Sequence, residues 1–150
     1  MFALVLKLND CKADHFHLLD PKNNLIMDGV FTKLVYVMPH YTINSIYIDF
    51  PIVNPITQYK NSVIFDPVRD KAVIQATRKL EYDLLHMYGF IQRIDKKPNY
   101  SLAQMFSHGK SKFFNVEHTS QFLLKLSGIW ESESEYGITF KIVDGQAIKP

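Results

Sequence analysis

The sequence predicts an α+β fold, mostly β, in which one amphipathic helix interrupts a series of strands. Three observations carry that prediction. Up to about residue 65, short runs rich in Val, Ile, Phe, Tyr and Thr alternate with turn residues, as half-buried strands do. Between Asp66 and Gly89, apolar residues recur at spacings of three and four, the period of a helix. From Phe122 onward the strand pattern returns.

Taken in order, Phe2 to Leu8 reads as a strand and His15 to Leu19 as a second, or as its continuation past the polar turn NDCKAD. DPKNN, Asp20 to Asn24, is a turn with Pro pre-set for its second position. Val30 to Met38 is a strand broken by polar residues only at Thr32 and Lys33, which suits a strand covered on much of both faces. After Pro39 and His40, the run Ile43 to Phe50 alternates, with Ile46, Ile48 and Phe50 on one face and Tyr47 and Asp49 on the other. Pro51 and Pro55 end it. The helix spans about 67–88, with Asp66 as N-cap, Pro67 as first residue and Gly89 as C-terminal cap. Val73, Ala76, Leu80, Leu84 and Met87 form its apolar stripe. Phe122 to Trp130 and GITFKIV, Gly137 to Val143, make a terminal hairpin around ESESE, with Gly128 a candidate bulge. This order of elements fits an OB-like five-stranded Greek-key barrel, whose single helix precedes the last strands.

At 150 residues, one domain covering 1–150 is expected. The lone Cys11 makes no internal disulfide, and the apolar stretch near the N-terminus is broken by Lys7, too short for a secretory leader. No window approaches a transmembrane span. An intracellular protein of cytoplasm or nucleus, not secreted, is the expectation.

The triplet Gly109-Lys110-Ser111 invites a phosphate-loop reading. That loop needs a second glycine five residues earlier, so that backbone N–H groups can wrap phosphates, and Gln104 stands there. SLAQMF before the triplet reads as a short helix or turn, and KSKFFNV after it as extended chain. His15 and His17 lack the third and fourth ligands of a zinc site, and no carboxylate cluster of the nuclease kind is spaced for a divalent ion. No catalytic residue, metal, cofactor or small-molecule substrate is indicated.

What stands out is a basic-aromatic segment. Between Gln92 and Val116, Arg93, Lys96, Lys97, Lys110 and Lys112 are accompanied by one acid, Asp95, and interleaved with Tyr100, Phe106, Phe113 and Phe114, in a chain whose net charge is only +2. Lysines neutralise phosphates, and ring faces stack on unpaired bases for about 1–3 kcal/mol each. The expected interface is therefore Lys96, Lys97, Lys110 and Lys112 on phosphates, with Tyr100, Phe106 and Phe113 on bases. Tyr47, Arg78 and Lys79 are further contributors, and Trp130 is an interface anchor. Against it, ESESE, Glu131 to Glu135, carries three carboxylates that would repel a nucleic-acid backbone.

The segments KKPNYSLAQMFSHGKSKFF and LLKLSGIWESESEYGITFKIV resemble parts of small OB-type single-stranded DNA-binding proteins of DNA viruses and virus-like mobile elements. The resemblance covers about a third of the chain. It implies sequence-tolerant, non-enzymatic binding of single-stranded nucleic acid, DNA in the first place. Two alternatives stay open: a self-associating structural or adaptor protein, such as a virion component, and a small metal-dependent nuclease.

Overall fold

The computed structural model describes residues 4–23, 29–52, 62–107, 110–114 and 122–144; over 62–64 and 110–114, and at 144, it describes the backbone. In chain order the strands are β1 (Val5–Lys7), β2 (Phe16–Leu18), β3 (Lys22–Asn23), β4 (Val30–Met38), β5 (Tyr41–Ile43), β6 (Ile46–Asp49) and β7 (Ser62–Ile64). Helix α1 (Lys71–Gln92) follows, then β8 (Lys97–Asn99), helix α2 (Ser101–Ser107), β9 (Lys110–Phe114), β10 (Phe122–Glu131) and β11 (Glu135–Asp144). The fold is α+β and mostly strand, as the sequence pattern predicts.

The β10–β11 hairpin is the axis of the sheet. Its pairing slips between Leu126 and Gly128, so the predicted bulge is present. One side of β10 carries two strands end to end: β6 pairs with Leu123–Leu126, and the first part of β4 pairs with Gly128–Glu131. β4 then leaves β10 and pairs instead with β2 and with β5, the latter through a two-residue turn at Pro39–His40. β11 likewise carries two short parallel strands, β8 near its start and β9 near its end, with α2 linking them. β1 runs parallel to β6 at one edge, and β7 pairs with β9 at the other. The sheet is unclosed, so a five-stranded barrel is not confirmed. The strands also outnumber those expected, because β3, β5, β7 and β8 span only two or three residues each, too short for a period to register.

Helix α1 begins and ends four residues later than predicted. Asp66 does cap, its Oδ1 accepting the N–H groups of Val68 and Arg69 at 2.9 and 3.2 Å, but it caps a turn that leads into the helix. Gly89 is not the terminator: Arg93, at φ 52°, takes the left-handed conformation there. Gly89 serves packing instead, since a Cβ at that position would lie 2.8 Å from the Tyr136 hydroxyl.

The core fills the space between α1, α2 and one face of the sheet. Leu80, Leu84, Leu85 and Tyr88 of α1 meet Ile46, Ile48, Leu124, Leu126, Ile129 and Ile138 from the strands. Phe106 closes it at one end, in ring contact with Phe50 and Phe65. The apolar face of α1 is wider than the predicted stripe, because Thr77, Glu81, Leu85 and Tyr88 are buried alongside it. Among the described residues no helix is long and apolar enough to cross a membrane.

Candidate nucleic-acid interface

Since α1 covers one sheet face, the register of the strands defines what lies on the other. Leu124, Leu126, Ile129 and Ile138 point into the core, so their neighbours along each strand point away from it. That opposite face carries Lys125 and Trp130 from β10, Thr139 and Lys141 from β11, Tyr47 and Asp49 from β6, and Phe31 and Lys33 from β4. Lys22 lies in register with Phe31, and Lys7 with Asp49. Leu123, although on this side, is only 1% exposed, which bounds the open area at that end.

Two aromatic stations stand out. At the first, Tyr47, Lys125 and Lys141 form one row across β6, β10 and β11, with Lys125 Nζ 5.6 Å from the centre of the Tyr47 ring. At the second, Trp130 and Phe31 sit opposite each other, each lying over a glycine of the neighbouring strand. A Cβ on Gly137 would come within 2.8 Å of the Trp130 indole, and one on Gly128 within 2.6 Å of the Phe31 ring. The glycines thus let both rings lie against the sheet. A depression of about 540 Å³ adjoins the second station, lined by Leu18, Leu19, Asp20, Lys22, Phe31 and Lys33.

The charge of this face is uneven. Its acids Asp49 and Glu135 lie in register with Lys7 and Lys97, and Asp20 shares the depression with Lys22. Lys33 and Lys125 face no carboxylate across the register, Lys33 lying opposite Gly128 and Lys125 opposite Tyr47 and Lys141, and among the described residues no ion pair joins either to an acid. Lys125 and Lys141 lie directly opposite each other across β10 and β11.

The interface expected from sequence fares differently residue by residue. Tyr47 is half-buried on the open face, where its alternation placed it. Trp130 is there too, and Lys97 stands exposed at the β11 edge. Phe106 is a correction: at 6% exposure it belongs to the core, so its ring offers no face to a base. Lys96 is another, because its ammonium is bound to Glu131 Oε2 at 2.6 Å and to the Ser132 carbonyl at 2.8 Å. Tyr100 stacks on Tyr82, with centroids 6.3 Å apart, and Tyr82 stacks in turn on His86. This ladder runs along α1, on the far side of the sheet, where Arg78 and Lys79 are also exposed; Lys79 pairs with Asp83 at 2.6 Å. Lys110, Lys112 and Phe113 have backbone positions in β9, and their side chains lie outside the described residues.

Of the three ESESE carboxylates expected to repel a nucleic-acid backbone, Glu131 is turned away from the surface. Its carboxylate accepts from the Tyr88 hydroxyl at 2.6 Å as well as from Lys96. Burial works to raise that carboxyl, but hydrogen bonds from Lys96 and Tyr88, with the Lys96 charge, hold it below the ordinary carboxylate range. A second inward-turned carboxylate has no sequence signal. Glu81, fully buried on α1, accepts the N–H groups of Leu102 and Ala103 at 2.7 and 3.0 Å, capping α2 from outside it. Burial dominates there and raises its carboxyl, against the lowering effect of those two bonds.

Other candidates are structural. The Cys11 thiol is pushed up to about 11 by burial and then by Asp10, which leaves it protonated and unreactive near neutrality. His15 stacks on Tyr36 and has Nδ1 3.1 Å from the Val37 carbonyl. Among the described residues no three His, Cys, Asp or Glu side chains are grouped to hold a metal ion.

The open-face residues that sequence reasoning misses are Phe31, Lys33, Lys125 and Lys141. The lysines do carry a signal, since each interrupts or alternates with the apolar positions of a predicted strand, whereas Phe31 reads as one more apolar position beside Val30. Comparisons of the chain with family models, curated proteins and solved structures found no match.

Proposed function

We propose that this protein binds single-stranded nucleic acid, without catalysis, on the sheet face opposite α1. The observation that carries the reading is the conjunction on that face of Lys33 and Lys125 with the rings of Tyr47, Phe31 and Trp130. Lysines supply sequence-independent attraction to phosphates, and rings supply stacking that any base can satisfy. The mode is that of the OB-type single-stranded DNA-binding proteins that the 96–114 and 123–143 segments resemble, here on an open sheet.

The test is titration of a labelled oligo-dT at low ionic strength, repeated as salt is raised. Binding that weakens steeply with salt supports the reading; no binding at low salt ends it. Absorbance of the purified protein at 260 and 280 nm gives an independent check for carried nucleic acid. A second reading, self-association as a structural or adaptor protein, draws on the outer side of α1, where Phe90 is 81% and Ile91 55% exposed. Defined oligomers by light scattering, indifferent to nucleic acid, would favour it.

A further inference from the structure

The two aromatic stations are separated along one strand, and that separation constrains the ligand. Tyr47 is aligned with Lys125, and Trp130 lies five positions further along β10, past the bulge. At a strand rise of roughly 3.3 Å per residue the stations are about 15 Å apart. An unstacked, extended nucleic-acid strand advances by roughly 7 Å per nucleotide, about twice the rise within a duplex strand. Two or so nucleotide steps therefore separate a base at one station from a base at the other. Between the stations the face presents Lys33, in register with Gly128, while Lys125 stands beside Tyr47 at the first.

Resting on the reading above, we infer that the face takes an unpaired strand of at least three to four nucleotides, with one base on Tyr47, another on Trp130 and the intervening phosphates over Lys125 and Lys33. Only unpaired bases fit this arrangement. Trp130 lies against Gly137 and Phe31 against Gly128, so the sheet occupies one side of each ring and stacking must come from the outward side. A duplex keeps its base faces inside its own stack and presents edges, which a flat ring cannot engage. Tyr47 and Trp130 are both part-exposed, as a platform requires.

Trp130 is the chain's single tryptophan, so its fluorescence reports on the second station alone. The full-length protein is titrated with oligo-dT of two, four and eight nucleotides and with an eight-base-pair duplex, following both tryptophan emission and the anisotropy of a labelled oligonucleotide. The expected result is quenching by the four- and eight-mers and an affinity gain of about tenfold or more between two and four nucleotides, as each added stack contributes about 1–3 kcal/mol. The duplex binds more weakly and quenches little. Tyr47→Ala lowers eight-mer affinity about tenfold while quenching at saturation persists, and Tyr47→Phe restores it. Anisotropy showing tight binding with no quenching, and with no effect of Tyr47→Ala, would overturn the two-station inference while leaving single-strand binding in place. Absence of any binding at low salt would remove both.

Discussion

Glu131 lies in a run of alternating glutamates and serines, and its neighbours Glu133 and Ser134 are exposed. Its own side chain is turned inward to Tyr88 and Lys96, with 14% of its side-chain surface left in water. One contact thus removes a repelling carboxylate and an attracting ammonium from the surface together. Lys96→Met should cost about 1.5–3 kcal/mol, the usual range for a hydrogen bond to a charged group, while leaving oligonucleotide affinity unchanged. Thermal unfolding and an oligo-dT titration on the same preparation check both halves. The pH dependence has a definite sign. Glu131 is held below its unfolded value, so its contribution is present above the ordinary carboxylate range and is lost as pH falls through the folded value. Glu81 is held above its unfolded value, so its contribution is complete below the ordinary range and is lost as pH rises through the elevated value. Melting temperature followed from about pH 3 to 8 should therefore lose part of its acid-side fall in Glu131→Gln, and part of its decline on raising pH in Glu81→Gln.

At the scale of elements, the two helices depend on each other through that same buried glutamate. A seven-residue helix such as α2 cannot persist on its own propensity, and Glu81 supplies two acceptors to its first turn. Glu81→Ala strands those N–H groups in the core and should cost about 1–3 kcal/mol in denaturant unfolding. The strands make a comparable use of glycine. Gly137→Val would drive a side chain into the Trp130 indole and the Asn99 carbonyl, each within 3 Å of the Cβ position. Destabilisation by about 1–3 kcal/mol with a shifted Trp130 emission maximum is the expected outcome. Much of this level is legible in the sequence. β4, the alternation of β6, the terminal hairpin with its bulge at Gly128, and the short helix before an extended KSKFF segment all follow from period and turn chemistry. The helix boundaries slip because Gly89 reads locally as a stop signal, whereas its role is to make room for Tyr136, a contact 47 residues away in sequence.

At the scale of the molecule, the candidate site is scattered along the sequence for a topological reason. A linear scan rewards residues that are close in sequence, and so it finds the lysines and rings of 96–114. Folding splits that segment among β8, the core-facing α2 and β9, burying Phe106 and neutralising Lys96. The open face instead draws Lys33, Tyr47, Lys125 and Lys141 from four strands, so only the pairing register brings them together. The two surfaces make opposing predictions. On the open face, Lys33→Gln and Lys125→Gln each remove one counterion-releasing contact, so the slope of log affinity against log salt should flatten by about one for each substitution and by about two for the pair. On the other side of the molecule, Arg78→Gln with Lys79→Gln removes as much positive charge from the whole chain. A protein attracting phosphate through net charge alone would respond equally to both pairs. Binding organised by the sheet face responds to the first pair in slope and affinity, and to the second only by the small screened effect of distant charge.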